Sequence, residues 1–310
     1  MTQLSNTALE HLRRIADQPD LSATRYEMIE LLGRGGMGSV YLVRDRELDR
    51  LVALKVLVTG GATPDLVDRL VAEARILASL EHPGIVPVHD VGTTAESLPF
   101  YTMKLVRGKR LDRHVTAGIS MAERIRITGQ ICDAVAFAHA RNVLHRDLKP
   151  TNIMIGPFGE VLVMDWGLAR LHRTADDGPQ GGSNGTSAVV GTPGFMAPEQ
   201  SGGDEALVDE RADVYGIGGI LRFLLAGTEA SRPLRAIAER AMALRPAERY
   251  PTVASLAGDI DRYLSNLPVS AYQETLVEKA RRLVTRHRLP LGLIVAYLLM
   301  RLLLLVLARG

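Results

Sequence analysis

The sequence predicts an α+β fold in two lobes, a small β-rich lobe followed by a larger α-helical one, with a transmembrane helix at the C-terminal end. Three observations carry this. From Tyr26 to about Lys104 the chain reads as short apolar strands separated by glycines and interrupted by one helix. After Leu105 the apolar spacing becomes helical and stays so to about Leu264. Finally, Leu289 to Ala308 is apolar apart from Arg301, a length that matches the roughly 20 residues needed to cross a bilayer.

The predicted organisation is an N-terminal extension (1–25), a small lobe (26–104), a large lobe (105–264), a basic juxtamembrane linker (265–288) and the membrane segment (289–308). A length of 310 residues accommodates this, since a two-lobed enzyme needs about 250 to 300. The formal net charge is +2 and the basic residues are scattered over most of the chain, which argues against a nucleic-acid partner. Cys132 is the only cysteine, so no intrachain disulfide can form, and its apolar helical surroundings mark it as a small core residue. In the extension, Leu9, Leu12 and Ile15 stand at helical spacing among charges, with no apolar signal segment.

Within the small lobe, Met28 to Leu32 leads into Gly33-Arg34-Gly35-Gly36-Met37-Gly38-Ser39-Val40, which precedes the strand-like Tyr41 to Arg44. A glycine cluster joining strand to strand is not a dinucleotide-binding turn, whose glycines open a helix. It would let backbone amides approach phosphate oxygens, although alone it suits a plain hairpin turn equally well. The apolar run Val52 to Val58 is broken only by Lys55. Leu66, Leu70, Ala74, Leu77 and Leu80 then recur at steps of three and four, and Glu73 stands at the edge of that stripe. A carboxylate there needs a cation, and Lys55 is the candidate.

In the large lobe, Ala122 to Ala140 is apolar on one side and Ala212 to Ala226 almost all round. Thr174 to Ser187 is rich in Gly, Ser, Asp and Thr and reads as a mobile loop. His145-Arg146-Asp147-Leu148-Lys149-Pro150-Thr151-Asn152 places a carboxylate, two cations and an amide within eight residues, and the apolar hairpin Ile153 to Met164 leads to Asp165-Trp166-Gly167. Together with Gly191-Thr192-Pro193-Gly194-Phe195-Met196-Ala197-Pro198-Glu199, these motifs resemble the protein kinase family, in particular the bacterial serine/threonine kinases of eukaryotic type.

The resemblance implies a bilobal kinase fold and Mg2+- and ATP-dependent transfer of phosphate to Ser or Thr hydroxyls of proteins, including sites on the chain's own loop. It implies that Asp147 orients or accepts the hydroxyl proton and that Lys149 balances charge on the transferred group. Lys55, held by Glu73, would meet the nucleotide phosphates, while Asn152 and Asp165 would hold magnesium. For the nucleotide it implies Gly33, Gly35, Gly36 and Gly38 over the phosphates and Val40 and Ala53 over the adenine. Met103 would gate the pocket, and Lys104 and Leu105 would lie in the hinge. Lys149 within Asp-Leu-Lys-Pro-Thr-Asn, and Thr192, favour Ser/Thr over Tyr. Arg146 suggests a pocket for a phosphorylated loop, with Ser183, Thr186, Ser187 and Thr192 as regulatory acceptors. The same resemblance pairs Glu199 with Arg249, makes Asp213 the buried holder of the catalytic loop, and makes His145 a packing residue. The other histidines show no metal-ligand spacing.

Two features depart from the family pattern. Trp166 replaces the usual phenylalanine, and a larger aromatic can fill the same hydrophobic position. Only seventeen residues separate Gly227 from Arg245, and Pro233 to Leu244 already reads as the next helix, so the helix that relatives use for docking substrates is reduced or missing. Lys279, Arg281, Arg282, Arg286 and Arg288 precede the C-terminal apolar run and only Arg309 follows it, which places the kinase domain on the cytoplasmic side of an inner membrane as a single-pass protein. An amphipathic packing helix is the alternative. A nucleotide-binding scaffold with weak turnover and a small-molecule phosphotransferase are the rival functions, and a homodimer stays open.

Overall fold

The structure, a computed structural model, describes residues 18–35, 38–57, 63–166, 170–171, 194–202, 208–279, 293–294, 296–301 and 304. The small lobe is built on a five-stranded antiparallel sheet in the order β1-β2-β3-β5-β4. Its strands are β1 (Tyr26–Gly35), β2 (Gly38–Asp45), β3 (Arg50–Val56), β4 (Val88–Thr93) and β5 (Pro99–Lys104), and helix α1 (Pro64–Ser79) joins β3 to β4. Alternation along β3 divides the sheet into two faces. Val52, Leu54 and Val56 pack with Leu21, Tyr26, Tyr41, Val43 and Phe100 in a closed core on one side. Ala53, with Tyr101 and Met103 of β5, turns to the other side and joins the core shared with α1 and the large lobe. Both faces of β3 are thus covered, which is why its apolar run is nearly continuous.

The stripe on α1 is buried as its spacing predicts, with Leu70, Ala74, Leu77 and Leu80 all inside. Pro64 begins the helix, where its missing N–H costs nothing. By contrast, Ile29, Leu31 and Leu32 of β1 are exposed.

The large lobe begins with β6 (Lys109–Arg110), α2 (Leu111–His114) and α3 (Met121–His139). Helix α3 starts at Ser120, whose side chain accepts the N–H of Glu123 at 3.2 Å. Strand β7 (Val143–Leu144) pairs with β10 (Arg170–Leu171), and the hairpin of β8 (Ile153–Ile155) and β9 (Val161–Val163) pairs with β6. Helices α4 (Arg211–Leu225), α5 (Arg232–Ala241) and α6 (Val253–Leu264) complete the lobe. Helix α4 is buried on almost every side, and α5 is the only described α-helix between it and Arg249, followed by the single 3-10 turn Pro246–Glu248.

Residues beyond α6 fold back onto the lobe. Val269 is buried, and the buried Asp259 accepts from the N–H and Oγ of Ser270 at 2.8 and 2.7 Å and from the N–H of Ala271 at 3.1 Å. At the other end, Leu21 sits in the core of the small lobe, and Ala95 donates its N–H to Asp20 O at 3.0 Å. Of the expected membrane segment, the described residues 293–294, 296–301 and 304 are helical and exposed. Among the described residues no helix is long and apolar enough to cross a membrane.

Candidate active site

Strand register brings the first group of residues together. Lys55 lies opposite Val40 on one side and Tyr101 on the other, while Ala53 lies opposite Met103. Residues opposite one another, and those two apart along a strand, share a face of the sheet. Val40, Ala53, Lys55, Tyr101 and Met103 therefore look the same way. Lys104 ends β5 and Leu105 follows as the link between lobes. Gly33 and Gly35 lie on β1, where Gly33 pairs with Val40 and Gly35 with Gly38. Gly36 lies outside the described residues. At Gly38, φ is +151° and a Cβ would come within 2.3 Å of Val56 O, so glycine there is demanded by the approach of β2 to β3.

Lys55 Nζ donates to both oxygens of Glu73, at 2.7 and 2.8 Å. The Tyr101 hydroxyl donates to Glu73 Oε1 at 2.9 Å, a contact with no sequence signal because an aromatic on a strand demands no charged partner, as a buried carboxylate does. Burial, and then the charge of Glu73, hold the Tyr101 hydroxyl well above its usual range, so it remains a donor. Glu73 is thus buried with three charge-assisted or hydroxyl hydrogen bonds, and removing Lys55 alone would cost about 3–5 kcal/mol.

The second group stands on the segment after β7. Asp147 Oδ2 accepts from Lys149 Nζ at 2.6 Å and from Asn152 Nδ2 at 3.1 Å, and Asn152 Nδ2 also reaches Asp147 O at 2.9 Å. This backbone is held from below by Asp213 of α4, which accepts from His145 N at 2.8 Å and Arg146 N at 2.7 Å. Arg146 has a φ of +68°, unfavourable for a side chain with a Cβ, and the carboxylate and Gln200, which donates to Arg146 O at 2.7 Å, keep it there. His139 Nε2 lies 2.7 Å from Asp213 Oδ2 and His139 Nδ1 lies 3.4 Å from Glu210 Oε2. Burial pulls the His139 pKa down, but the bond to Asp213 and the charges of Asp213 and Glu210 outweigh it, and the net shift is upward. For Asp213 burial raises the pKa, and His139, then His145, bring it below the usual carboxylate range. Sequence reasoning found Asp213 but missed His139, which sits at the end of an apolar helix with its partner far along the chain.

Pairing of β8 with β9 delivers the third group. Met164 donates its N–H to Asn152 O at 2.8 Å, so Asp165 emerges beside Asn152. Asp165 Oδ1 lies 3.6 Å from Lys55 Nζ, linking large lobe to small, and its side chain is 54% exposed. Trp166 is buried with its indole N–H donated to Val163 O at 3.2 Å, and its ring packs 4.6 Å from that of the fully buried His145. The one polar atom that tryptophan adds is therefore satisfied. Arg249 binds both oxygens of Glu199, at 2.6 and 2.8 Å, as the family resemblance implies. Ser183, Thr186, Ser187 and Thr192, with the loop 174–187, lie outside the described residues. Among the described residues no cluster of three or more His, Cys, Asp or Glu could hold a metal.

The protein kinase domain model matches residues 26–281. The chain belongs to the protein kinase family. Within it, the chain is 36% identical over 287 residues to the serine/threonine-protein kinase PknB of Mycobacterium leprae, an alignment covering 82% of this chain and 45% of the relative. It is 33% identical over 316 residues to the serine/threonine-protein kinase PknD of Chlamydia trachomatis, covering 83% and 33%. The kinase thus falls in the bacterial serine/threonine branch of eukaryotic type, and its matched region spans less than half the length of these relatives. Among solved structures, the kinase domain of Mycobacterium tuberculosis PknI matches with a TM-score of 0.59 and 27% identity, over 78% of this chain and 96% of that one.

Proposed function

We propose that this chain transfers the γ-phosphate of ATP to serine and threonine hydroxyls of protein substrates, and of its own loop, with magnesium. The observation that carries this reading is the convergence of three separate stretches on one place: Lys55 lies 3.6 Å from Asp165, and Asp165 emerges beside Asn152, which bonds Asp147 at 3.1 Å. The donor set fits the absent groups. Asn152 uses its N–H2 on Asp147, and its amide oxygen, which has no partner among the described residues, can join the half-exposed Asp165 carboxylate as a hard-oxygen pair suited to magnesium. Val40, Ala53 and Met103 offer an apolar sheet face to a purine.

ATP would supply the phosphoryl group and magnesium the neutralisation of its oxygens. Lys55, fixed by Glu73 and Tyr101, would bind the phosphates. Asn152 and Asp165 would hold the metal. Asp147 Oδ2 would take the proton of the substrate hydroxyl, with Lys149 placed to offset negative charge beside it. Phosphoryl transfer asks mainly for alignment and charge neutralisation, and these residues provide both.

With labelled ATP, magnesium and a generic protein substrate, the wild type should yield labelled phosphoserine and phosphothreonine. Asp147→Asn should lower transfer by about 10³-fold while still binding nucleotide. Nucleotide binding without transfer in the wild type would favour the second reading, a scaffold with weak turnover, for which the presence of α5 alone among described α-helices between α4 and Arg249 speaks. We also infer that the C-terminal segment attaches the domain to a membrane. The exposed Leu293, Ile294, Tyr297, Leu298, Leu299 and Leu304 support this together with the apolar run around them.

A further inference from the structure

Between β5 and α2 runs Lys104-Leu105-Val106-Arg107-Gly108-Lys109-Arg110-Leu111-Asp112-Arg113, five cations and one carboxylate. The carboxylate is already used, because Arg110 donates to both oxygens of Asp112, at 2.8 and 3.1 Å. Arg107, Lys109 and Arg113 are exposed, and among the described residues their side chains have no hydrogen-bond or ion-pair partner. Three exposed like charges within seven residues create a positive field over a small area.

Their position is set by the fold. A Cβ on Gly108 would come within 2.2 Å of Ile155 O, so the backbone at Gly108 presses directly on β8. Lys109 and Arg110 then pair with Ile155 and Met154, and α2 rests on the turn Pro150–Asn152. Strand β8 begins immediately after Asn152, which bonds Asp147. Arg107, Lys109 and Arg113 therefore stand on a rim packed against β8 and the Pro150–Asn152 turn, the turn whose Asn152 bonds Asp147.

We propose that this rim selects protein substrates whose acceptor serine or threonine is flanked by aspartate or glutamate, an inference that rests on the kinase reading above. A polypeptide that presents its hydroxyl to Asp147 must carry its neighbouring residues past the cleft edge, where carboxylates would meet Arg107, Lys109 and Arg113. A lipid surface resting on the same cations would lie across the cleft mouth and obstruct that approach.

The test uses three serine peptides, alike except that the acceptor is flanked by glutamate, by glutamine or by arginine. At about 50 mM salt the glutamate peptide should exceed the glutamine peptide by about tenfold in kcat/KM, mostly through KM, with the arginine peptide below both. The preference should shrink at about 0.5 M salt, because these pairs are exposed. The double variant Arg107→Glu, Lys109→Glu should reverse the order and leave the glutamine peptide unchanged. Equal turnover of all three by the wild type, or a preference that survives the double substitution, overturns the rim assignment and leaves the kinase reading intact. Transfer to none of them sinks that reading and the inference with it. Loss of binding to phosphatidylserine vesicles in the double variant, with no peptide preference in the wild type, would give the cations to a lipid surface and overturn the proposal.

Discussion

Glu73 is only 2% exposed, and its ionised form is tolerable there because Lys55 and Tyr101 together give it three hydrogen bonds. The Lys55 partnership was legible in the sequence, since a carboxylate on an apolar helical stripe demands a cation. Tyr101 was not, because its hydroxyl meets Glu73 only once β5 is laid beside β3. Tyr101→Phe keeps the ring and removes the donor, so it should fold normally and loosen α1. The expected result is a fall of about three- to tenfold in kcat with a smaller change in the KM for ATP. An unchanged kcat would show that Lys55 alone positions Glu73. His139 carries a second residue-scale expectation. Its pKa is raised in the folded state, so its contribution is full below the unfolded value of about 6.5 and is lost as pH rises through the folded value. The difference in melting temperature between wild type and His139→Gln should therefore be largest near pH 6 and shrink toward pH 9. A difference that grew with pH would contradict the ion pair with Asp213.

Among the elements, β3 and α1 were readable because a period of two and a period of 3.6 each leave a clear apolar trace. Strand β1 was readable as a strand, but the exposure of Ile29, Leu31 and Leu32 was not, since periodicity cannot say which face a cleft leaves open. Helix α5 stands where the short interval after Gly227 placed it. The stretch after α6 was legible by composition only as a basic linker, whereas residues through Tyr272 pack on the large lobe. The anchor is Asp259, which also accepts the Tyr250 hydroxyl at 2.8 Å. Burial raises its pKa, and the donors from Ser270, Tyr250 and Ala271 more than reverse that. Replacing it leaves the buried Tyr250 hydroxyl unmet and frees Ser270 and Ala271, so Asp259→Ala should lower stability by about 1–3 kcal/mol in denaturant unfolding. A loss below about 0.5 kcal/mol, the range of an ordinary surface substitution, would mean that the stretch after α6 contributes nothing to the lobe.

At the scale of the molecule, one apolar core runs from Leu70, Ala74 and Leu77 of α1 through Met103 and Trp166 to the helices of the large lobe. The small lobe has a second core behind its sheet. The candidate site lies where the shared core meets solvent, so its residues are held by both lobes at once and no single stretch of sequence contains it. The motifs named the participants because each has a fixed local spacing. Their mutual distances came only from strand register and from the Asp213 carboxylate beneath the catalytic loop.

The measurement that bears most directly on this convergence is mass-spectrometric mapping of phosphate on the purified chain after incubation with ATP, with and without magnesium, beside the Asp147→Asn form. The account predicts phosphoserine or phosphothreonine on the wild type only when the metal is present, and none on Asp147→Asn. Equal phosphate on both forms, or none on the wild type with magnesium and ATP supplied, would contradict it.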